Sequence, residues 1–295
     1  MGINWIERST CRMFTYYSQV SEVTSRLICG ALEEIELNGE HGSIKRDARH
    51  PFVGLVDHVS VMPVMNSSQP CDSFAREAAV LAAREIGAEM SQANLVNVHY
   101  YGAACPDNTP LATVRRKNTA FFSSGGAVQA KSYRTQPDPG GDSSLRNSAI
   151  KGDSIVGVPQ HFVENFNIRL TGNVNFQMAR TLTEHLRGRN NGVAGVEALT
   201  LPYIRNEEKV YEVACNLTNP SKGNADDVKS YVVEWVETQK EAFDKTEGYE
   251  FFVEDAYRVG TTEHQCREVL FGNKTTKDWQ DHDTGVHDHF RSCFV

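Results

Sequence analysis

The chain has 295 residues, of which 40% are hydrophobic and 23% charged, and its formal net charge is −8 at pH 7. This length allows one large domain or two smaller ones with apolar cores. The acidic balance, without a Lys- or Arg-rich stripe, argues against nucleic acid as a partner, because phosphates are bound by clustered cations. No apolar run approaches the roughly 20 residues of a membrane helix, so we expect no membrane insertion.

The cysteines and the N-terminal segment indicate the cellular compartment in which we expect the protein. Seven cysteines are scattered without a CxxC pair, which is typical of an intracellular, reducing compartment. The first residues hold no apolar run suited to a secretory signal, so we predict the cytoplasm. An organelle is the alternative, because Arg8 and Arg12 lie among Ser, Thr and aromatic residues. The Asp- and His-rich segment from Asp281 to His289 matches no established metal site in its spacing, and we predict no metal.

Helices and strands alternate in the first half of the chain. The hydrophobic pattern predicts a helix over Val20–Leu37, a strand over Phe52–Val64, a helix over Ser73–Glu89 and a strand over Asn97–Tyr101. One further strand that this pattern calls for has no clear counterpart. The segment Ser132–Asp153 is rich in Gly, Pro, Ser and Asp and lacks a hydrophobic period, so we interpret it as a linker between two domains.

In the second half of the chain, the hydrophobic pattern alternates more clearly between the periods of strands and helices. The pattern predicts a strand over His161–Leu170, an amphipathic helix over Val174–Arg187 that ends at Gly188, and a hairpin of strands Val193–Ile204 and Lys209–Leu217.

A second amphipathic helix follows, beginning at Asn224 or Ala225. Its apolar residues share one helical face, which must be buried. They are Val228, Tyr231, Val232, Trp235 and Val236. A strand over Tyr249–Val253 completes a β-α-β-β-α-β order, which is typical of the ferredoxin-like split βαβ arrangement.

Several short motifs follow one another along the chain. They are Arg-His-Pro-Phe-Val-Gly-Leu-Val-Asp-His over residues 49–58, Tyr-Gly-Ala-Ala over 101–104, Leu-Ala-Thr-Val-Arg-Arg-Lys over 111–117, Pro-Asp-Pro-Gly over 137–140, Asn-Phe-Asn over 165–167 and Val-Ala-Cys-Asn-Leu-Thr-Asn-Pro over 213–220. In this order they resemble the formiminotransferase domain family. The resemblance runs from Arg49 to Val236, and the last motif is similar to stand-alone formiminotransferase-like proteins that lack a cyclodeaminase domain.

The resemblance implies a fold and a domain division. The fold is α/β, of the α+β kind, with two ferredoxin-like βαββαβ subdomains packed around a cleft and the first of them incomplete. We expect an N-terminal-like subdomain with a divergent start at residues 1–131, a linker at 132–153, a C-terminal-like subdomain at 154–258 and a polar tail at 259–295.

The resemblance also implies a reaction. Family members transfer a formimino group from N-formimino-L-glutamate to tetrahydrofolate, their co-substrate, and the histidine of the segment His-Pro-x-x-Gly-x-x-Asp is the proposed general base. His50 and Asp57 match these positions and are the expected catalytic residues. A histidine suits this role because its ordinary pKa lies close to working pH.

Six further residues are expected to contact folate. They are Tyr101, Gly102, Arg115, Asn165, Asn167 and Asn216. Each has an ordinary structural alternative: a solvated basic helix face for the Arg115 segment, a turn after a buried strand for Tyr101 and Gly102, and amides at strand ends for the three asparagines.

A second class of function stays open, namely a catalytically inactive descendant that binds folate or serves as a structural subunit of a larger assembly. Many family enzymes have an Arg shortly before the Asn-containing strand, where this chain has Pro159 and Gln160. Retention of both His50 and Asp57 favours the enzyme. The expected partners are therefore folate and formiminoglutamate-like small molecules, with a homodimer or a host complex as the protein partner.

Overall fold

The described part of the chain forms two compact units. A computed structural model describes residues 19–32, 53–64, 72–92, 96–118, 153–205, 208–243 and 251–272. Unit 1 covers Met1–Gln160 and unit 2 covers His161–Val295. Within the described ranges, no helix has the length and apolar character needed to cross a membrane.

The described elements of unit 1 alternate between helix and strand. They are α1 over residues 19–32, β1 His58–Ser60, α2 Asp72–Gln92, β2 Asn97–Gly102, α3 Leu111–Asn118 and β3 Asp153–Val158. The elements α2 and β2 lie where the hydrophobic pattern predicts them. The strand β1 is much shorter than the predicted strand over 52–64, because the chain before it bends and Asp57 Oδ1 accepts a hydrogen bond from Val53 N over 2.6 Å.

The three strands described in unit 1 form a parallel sheet in the order β1-β3-β2. This sheet differs from the mainly antiparallel sheet of a ferredoxin-like subdomain, which was expected for the first half. The middle strand, β3, belongs to unit 1. The predicted linker at 132–153 lies outside the described residues except for its last residue, and it stays a prediction.

The unit 1 sheet has an apolar core on each face, because successive strand residues point to opposite faces. On one face, Val156 and Val158 of β3 pack against α1 and α2. The helical residues of that core are Ile28, Leu32, Ala79, Ala83, Ile86 and Met90. On the other face, which we call the α3 face, Ile155 packs with Tyr101 and with Val114 of α3. Helix α3 thus carries Arg115 next to this second face.

The described residues of unit 2 form four strands and their helices. Its described elements are β4 Glu164–Gly172, α4 Phe176–Leu186, a 3-10 turn Gly188–Asn190, β5 Val196–Arg205, β6 Glu208–Leu217, α5 Ala225–Phe243, β7 Phe251–Val259 and α6 Glu263–Phe271. From β4 to β7 they follow the predicted β-α-β-β-α-β order. The strand β7 continues past the predicted end at Val253, and α6 lies in the region predicted as a polar tail.

The sheet of unit 2 is antiparallel, in the order β5-β6-β4-β7. Helices α4 and α5 cover one face, where Phe166, Ile168 and Leu170 of β4 are buried. The opposite face, which we call the polar face, carries hydrogen-bonding and charged side chains. They are Asn165, Asn167, Arg169, Glu212, Asn216, Asp255 and Tyr257. One parallel and one antiparallel sheet, each packed against helices, make this an α+β protein, as predicted.

Candidate functional site

An ion pair joins α3 to the segment that leads into β1. Arg115 Nη2 donates a hydrogen bond to Asp57 Oδ2 over 2.9 Å, and the side chains are only 13% and 24% exposed. The other carboxylate oxygen of Asp57 accepts the hydrogen bond from Val53 N. Both oxygens of Asp57 are therefore engaged, and the turn after the His-Pro motif is held against α3. Burial lowers the pKa of Arg115, and the charge of Asp57 opposes that shift.

Polar groups from β1 and β2 meet on the α3 face. The Tyr101 hydroxyl and Ser60 Oγ lie 2.9 Å apart and share a hydrogen bond. The rings of His58 and Tyr101 pack with centroids 5.1 Å apart. Tyr101 fits here because Gly157 lies opposite it on β3, where any Cβ atom would overlap the tyrosine ring. Burial raises the pKa of Tyr101 to about 12, so the phenol stays protonated and can donate.

His58 is a neutral, buried imidazole at this site. Burial, together with the nearby positive charge of Arg115, lowers the pKa of His58 to about 3. Its Nε2 atom is buried and finds no hydrogen-bond partner within the described residues. A buried polar atom without a partner destabilises a fold by about 1–3 kcal/mol. The α3 face thus combines a guanidinium, a phenol and a neutral imidazole, which together can bind a polar, anionic or hydrogen-bonding ligand group.

Gly102 allows a close approach between neighbouring strands. Its φ is +57°, a conformation that side-chain-bearing residues rarely adopt, and a Cβ atom there would collide with the carbonyl oxygen of Val158. Its backbone nitrogen donates to Thr109 O over 2.7 Å, which closes the loop before α3. In the described structure, the backbone that Gly102 approaches is therefore β3.

A second polar pair links the starts of β2 and β3. His99 Nε2 lies 3.1 Å from Asp153 Oδ2, and Asn97 Nδ2 donates to Asp153 Oδ1 over 3.2 Å. Like Tyr101, these β2 residues alternate along the α3 face. Among the described residues, no group of three or more His, Cys, Asp or Glu side chains is arranged to hold a metal ion.

The polar face of unit 2 is organised around one buried carboxylate. Glu212 is 3% exposed, and its Oε1 accepts a hydrogen bond from Asn167 Nδ2 over 2.5 Å. Its Oε2 accepts one from the Tyr257 hydroxyl over 2.7 Å and lies 4.0 Å from Arg169 Nε. The Arg169 guanidinium lies over the Tyr257 ring, 5.2 Å from its centroid. Burial and the neighbouring carboxylate raise the pKa of Tyr257, so its hydroxyl remains a donor.

The three asparagines expected to contact folate lie on this polar face. Asn165 and Asn216 are exposed and face each other across β4 and β6. Asn167, by contrast, is only 9% exposed and bonds to Glu212. The exposed pair can offer amide donors and acceptors to a ligand directly.

The structure brings together some of the expected site residues. Asp57 pairs with Arg115, next to Tyr101 and Gly102, in unit 1, and the asparagines share a sheet face in unit 2. His50 lies outside the described residues, as does the histidine-rich segment 281–289.

Sequence reasoning missed the polar residues between these positions. His58 directly follows Asp57, and Glu212 is a charged residue that alternates with the apolar Tyr211 and Val213. A charge alternating with buried residues along a strand indicates a polar group on the opposite face, and this signal points to Glu212.

Comparison with known proteins gives two matches. The family model described as "Formiminotransferase domain, N-terminal subdomain" matches residues 4–158, which ends at the last residue of β3. The chain is also 28% identical over 222 residues to the "Formiminotransferase cyclodeaminase-like protein" of Arabidopsis thaliana, and this alignment covers 73% of the chain and 67% of that relative.

Proposed function

The chain belongs to the formiminotransferase family, and from this premise we propose that it transfers the formimino group of N-formimino-L-glutamate to tetrahydrofolate. In this reaction the N5 amine of tetrahydrofolate attacks the formimino carbon, and a tetrahedral intermediate then expels glutamate. His50 acts as the general base that accepts the proton of the attacking amine and returns it to the leaving nitrogen.

The observation that carries this proposal is that both carboxylate oxygens of Asp57 accept hydrogen bonds. Its carboxylate closes the turn at Val53 and binds Arg115 of α3, so residues 53–57 have a fixed path that begins three positions after His50. A base must lie within hydrogen-bond reach of the proton that it accepts, and a fixed neighbouring segment favours such placement. Asp57 thus acts as a positioning residue for the motif that contains His50.

Four of the other expected residues contact the ligand in this proposal. Arg115 supplies positive charge near the site, which suits the carboxylates of formiminoglutamate or the glutamate tail of a folate. The protonated Tyr101 hydroxyl is a hydrogen-bond donor. The exposed amides of Asn165 and Asn216 suit the mixed donors and acceptors of a pterin ring.

Calorimetric titration with tetrahydrofolate, followed by a turnover assay with N-formimino-L-glutamate, tests the proposal. We expect the wild-type chain and a His50→Ala variant to bind tetrahydrofolate similarly, because a general base contributes little ground-state binding energy. We expect turnover of the variant to fall by about 100-fold or more. The matched control is His264→Ala, since His264 is an exposed histidine of α6.

The same experiment separates the enzyme from its alternative. Binding without turnover in the wild-type chain identifies a catalytically inactive folate-binding protein. Absence of folate binding overturns the proposal and leaves a structural subunit as the better account. Turnover that is equal in the wild-type chain and His50→Ala removes His50 from the mechanism while keeping the reaction.

A further inference from the structure

The orientation of one buried amide on the polar face of unit 2 is fixed by its surroundings. A carboxylate only accepts hydrogen bonds, so Glu212 requires the NH2 group of Asn167 to face it. The Tyr257 hydroxyl occupies the second carboxylate oxygen, which prevents Glu212 from turning away. The amide nitrogen of Asn167 therefore donates its hydrogen bond within the protein and not to a ligand.

The oxygen of the same amide has a different environment. Among the described residues, the side-chain hydrogen bonds of Asn167 run to Glu212 and to the Tyr257 hydroxyl, and Asn167 is the donor in both, so neither uses Oδ1. Asn167 belongs to β4, where its strand neighbours on the same face are the exposed Asn165 and the charged Arg169. When the nitrogen of a side-chain amide is bonded within the protein, its oxygen can still accept a hydrogen bond from a ligand.

One guanidinium lies between two carboxylates on this face. Arg169 lies 4.0 Å from Glu212 Oε2 and 3.9 Å from Asp255 Oδ2. It also lies over the ring of Tyr257. A carboxylate that is buried and hydrogen-bonded through both oxygens keeps its neighbours in one arrangement, because each alternative leaves a buried polar atom without a partner.

We propose that Glu212 is a positioning residue for ligand binding on the polar face, and that it fixes Asn167 so that Oδ1 accepts a hydrogen bond from an N–H group of the ligand. The recognised group is a donor, such as an N–H of a reduced pterin ring. This inference rests on the proposed function, because the ligand is taken to be tetrahydrofolate. It adds a determinant of specificity: opposite Asn167 Oδ1, the polar face favours a ligand group that donates a hydrogen bond and disfavours one that accepts.

The test is calorimetric titration of tetrahydrofolate into four variants of the full chain. Glu212→Gln lets the two facing amides pair in either orientation, and we expect about tenfold weaker binding, the effect of one hydrogen bond. Asn167→Asp places two carboxylates together and should destabilise the unit. The double variant Asn167→Asp/Glu212→Gln exchanges the carboxylate and the amide, restores their pairing and again presents an oxygen, so we expect binding within about threefold of wild type. The control is Glu234→Gln, which makes the same chemical change on the exposed surface of α5.

Two further readouts distinguish positioning from a purely structural role. Variants whose thermal unfolding matches wild type should show a raised KM for tetrahydrofolate with kcat little changed, since a hydrogen bond of equal strength in the ground state and the transition state affects KM alone. The side-chain amide resonances of Asn167 should be sharp and protected in the wild-type chain and altered in Glu212→Gln. If Glu212→Gln does not fold, the double variant carries the test, because it retains one carboxylate and one amide.

The outcomes are distinct. Weakened binding by Glu212→Gln with recovery in the double variant supports the inference. Wild-type affinity in a folded Glu212→Gln overturns it and leaves the proposed function intact, as does a folded double variant that binds no better than Glu212→Gln. Absence of tetrahydrofolate binding by the wild-type chain overturns both the inference and the proposed function.

Discussion

Arg115 and Asp57 lie 58 positions apart in the chain and form a hydrogen-bonded ion pair of 2.9 Å between α3 and the segment before β1. Both side chains are mostly buried, so neither charge is well solvated when its partner is removed. The pair thus holds in place the backbone directly downstream of the proposed base.

Replacement of Asp57 by Asn tests the contribution of this pair. The amide oxygen can still accept from Val53, but Arg115 loses its countercharge, so we expect the free energy of unfolding to fall by about 1–3 kcal/mol. Urea denaturation measures this change. The control is Glu22→Gln in the exposed Glu22–Arg26 pair of α1, where we expect less than about 0.5 kcal/mol. Equal losses in the two variants would contradict a special role for the Asp57 pair.

The buried imidazole of His58 predicts a pH dependence of stability. Its pKa is about 3 in the folded protein against an ordinary value of 6.5. Between these values the unfolded chain binds a proton that the folded chain does not, so the free energy of unfolding falls as pH decreases from 6.5 towards 3. The slope from this group is at most about 1.4 kcal/mol per pH unit.

Comparison of wild type with His58→Gln isolates that contribution. From pH 7 to pH 5, we expect wild type to lose up to about 2 kcal/mol more than the variant, because glutamine does not titrate. The exposed His264→Gln is the control and should follow wild type. Parallel pH profiles for wild type and His58→Gln would show that His58 titrates normally in the folded protein.

Substitution of Gly102 by Ala tests the close approach of β2 to β3. The variant residue would have both an unfavourable φ of +57° and a Cβ atom in collision with Val158 O. We expect a loss of stability of about 3 kcal/mol or more, measured by chemical denaturation. Gly260→Ala is the matched control, because Gly260 has a φ of +79° and its Cβ position has no neighbouring atom within 4 Å, so it should lose only about 1–2 kcal/mol. Similar losses at the two positions would mean that the collision is relieved by a small backbone shift.

The hydrogen bonds at the N-terminus of α6 predict that a substitution there affects the stability of this helix. Thr262 Oγ1 accepts from Gln265 N over 3.1 Å, and the Gln265 side chain accepts from Thr262 N over 2.8 Å, which forms a capping box. Thr262→Ala should destabilise the helix by about 1 kcal/mol and accelerate hydrogen exchange within residues 263–271. Thr262→Ser keeps the hydroxyl and should exchange as wild type does. Unchanged exchange in Thr262→Ala would show that packing alone maintains α6.

The sequence predicts much of unit 2, because its strands and helices differ clearly in period. The α5 residues predicted to share a buried face include Val228, Val232 and Val236, which are all buried. The helix α6 was missed because its residues are only partly buried, although Thr262 and Gln265 have the spacing of a capping box.

The hydrophobic pattern of the sequence could not predict which distant segments pair with each other. The spacing of apolar residues gives the faces of an element but not its neighbours, so neither the parallel order of unit 1 nor the Asp57–Arg115 pair could be derived from it. Similarly, the motif containing Asp57 indicated a site without showing that His58 and Ser60 contact Tyr101.

The order of strands in unit 1 also affects how the protein is made. Within the described residues, β1 and β2 each pair with β3 and not with each other, and β3 is the last of the three to be synthesised. On a ribosome, the two earlier strands must wait with open edges until Val158 has emerged, several seconds later at about 5–20 residues per second. During that interval, unpaired edges are exposed to other chains, so we expect unit 1 to depend on protection during translation.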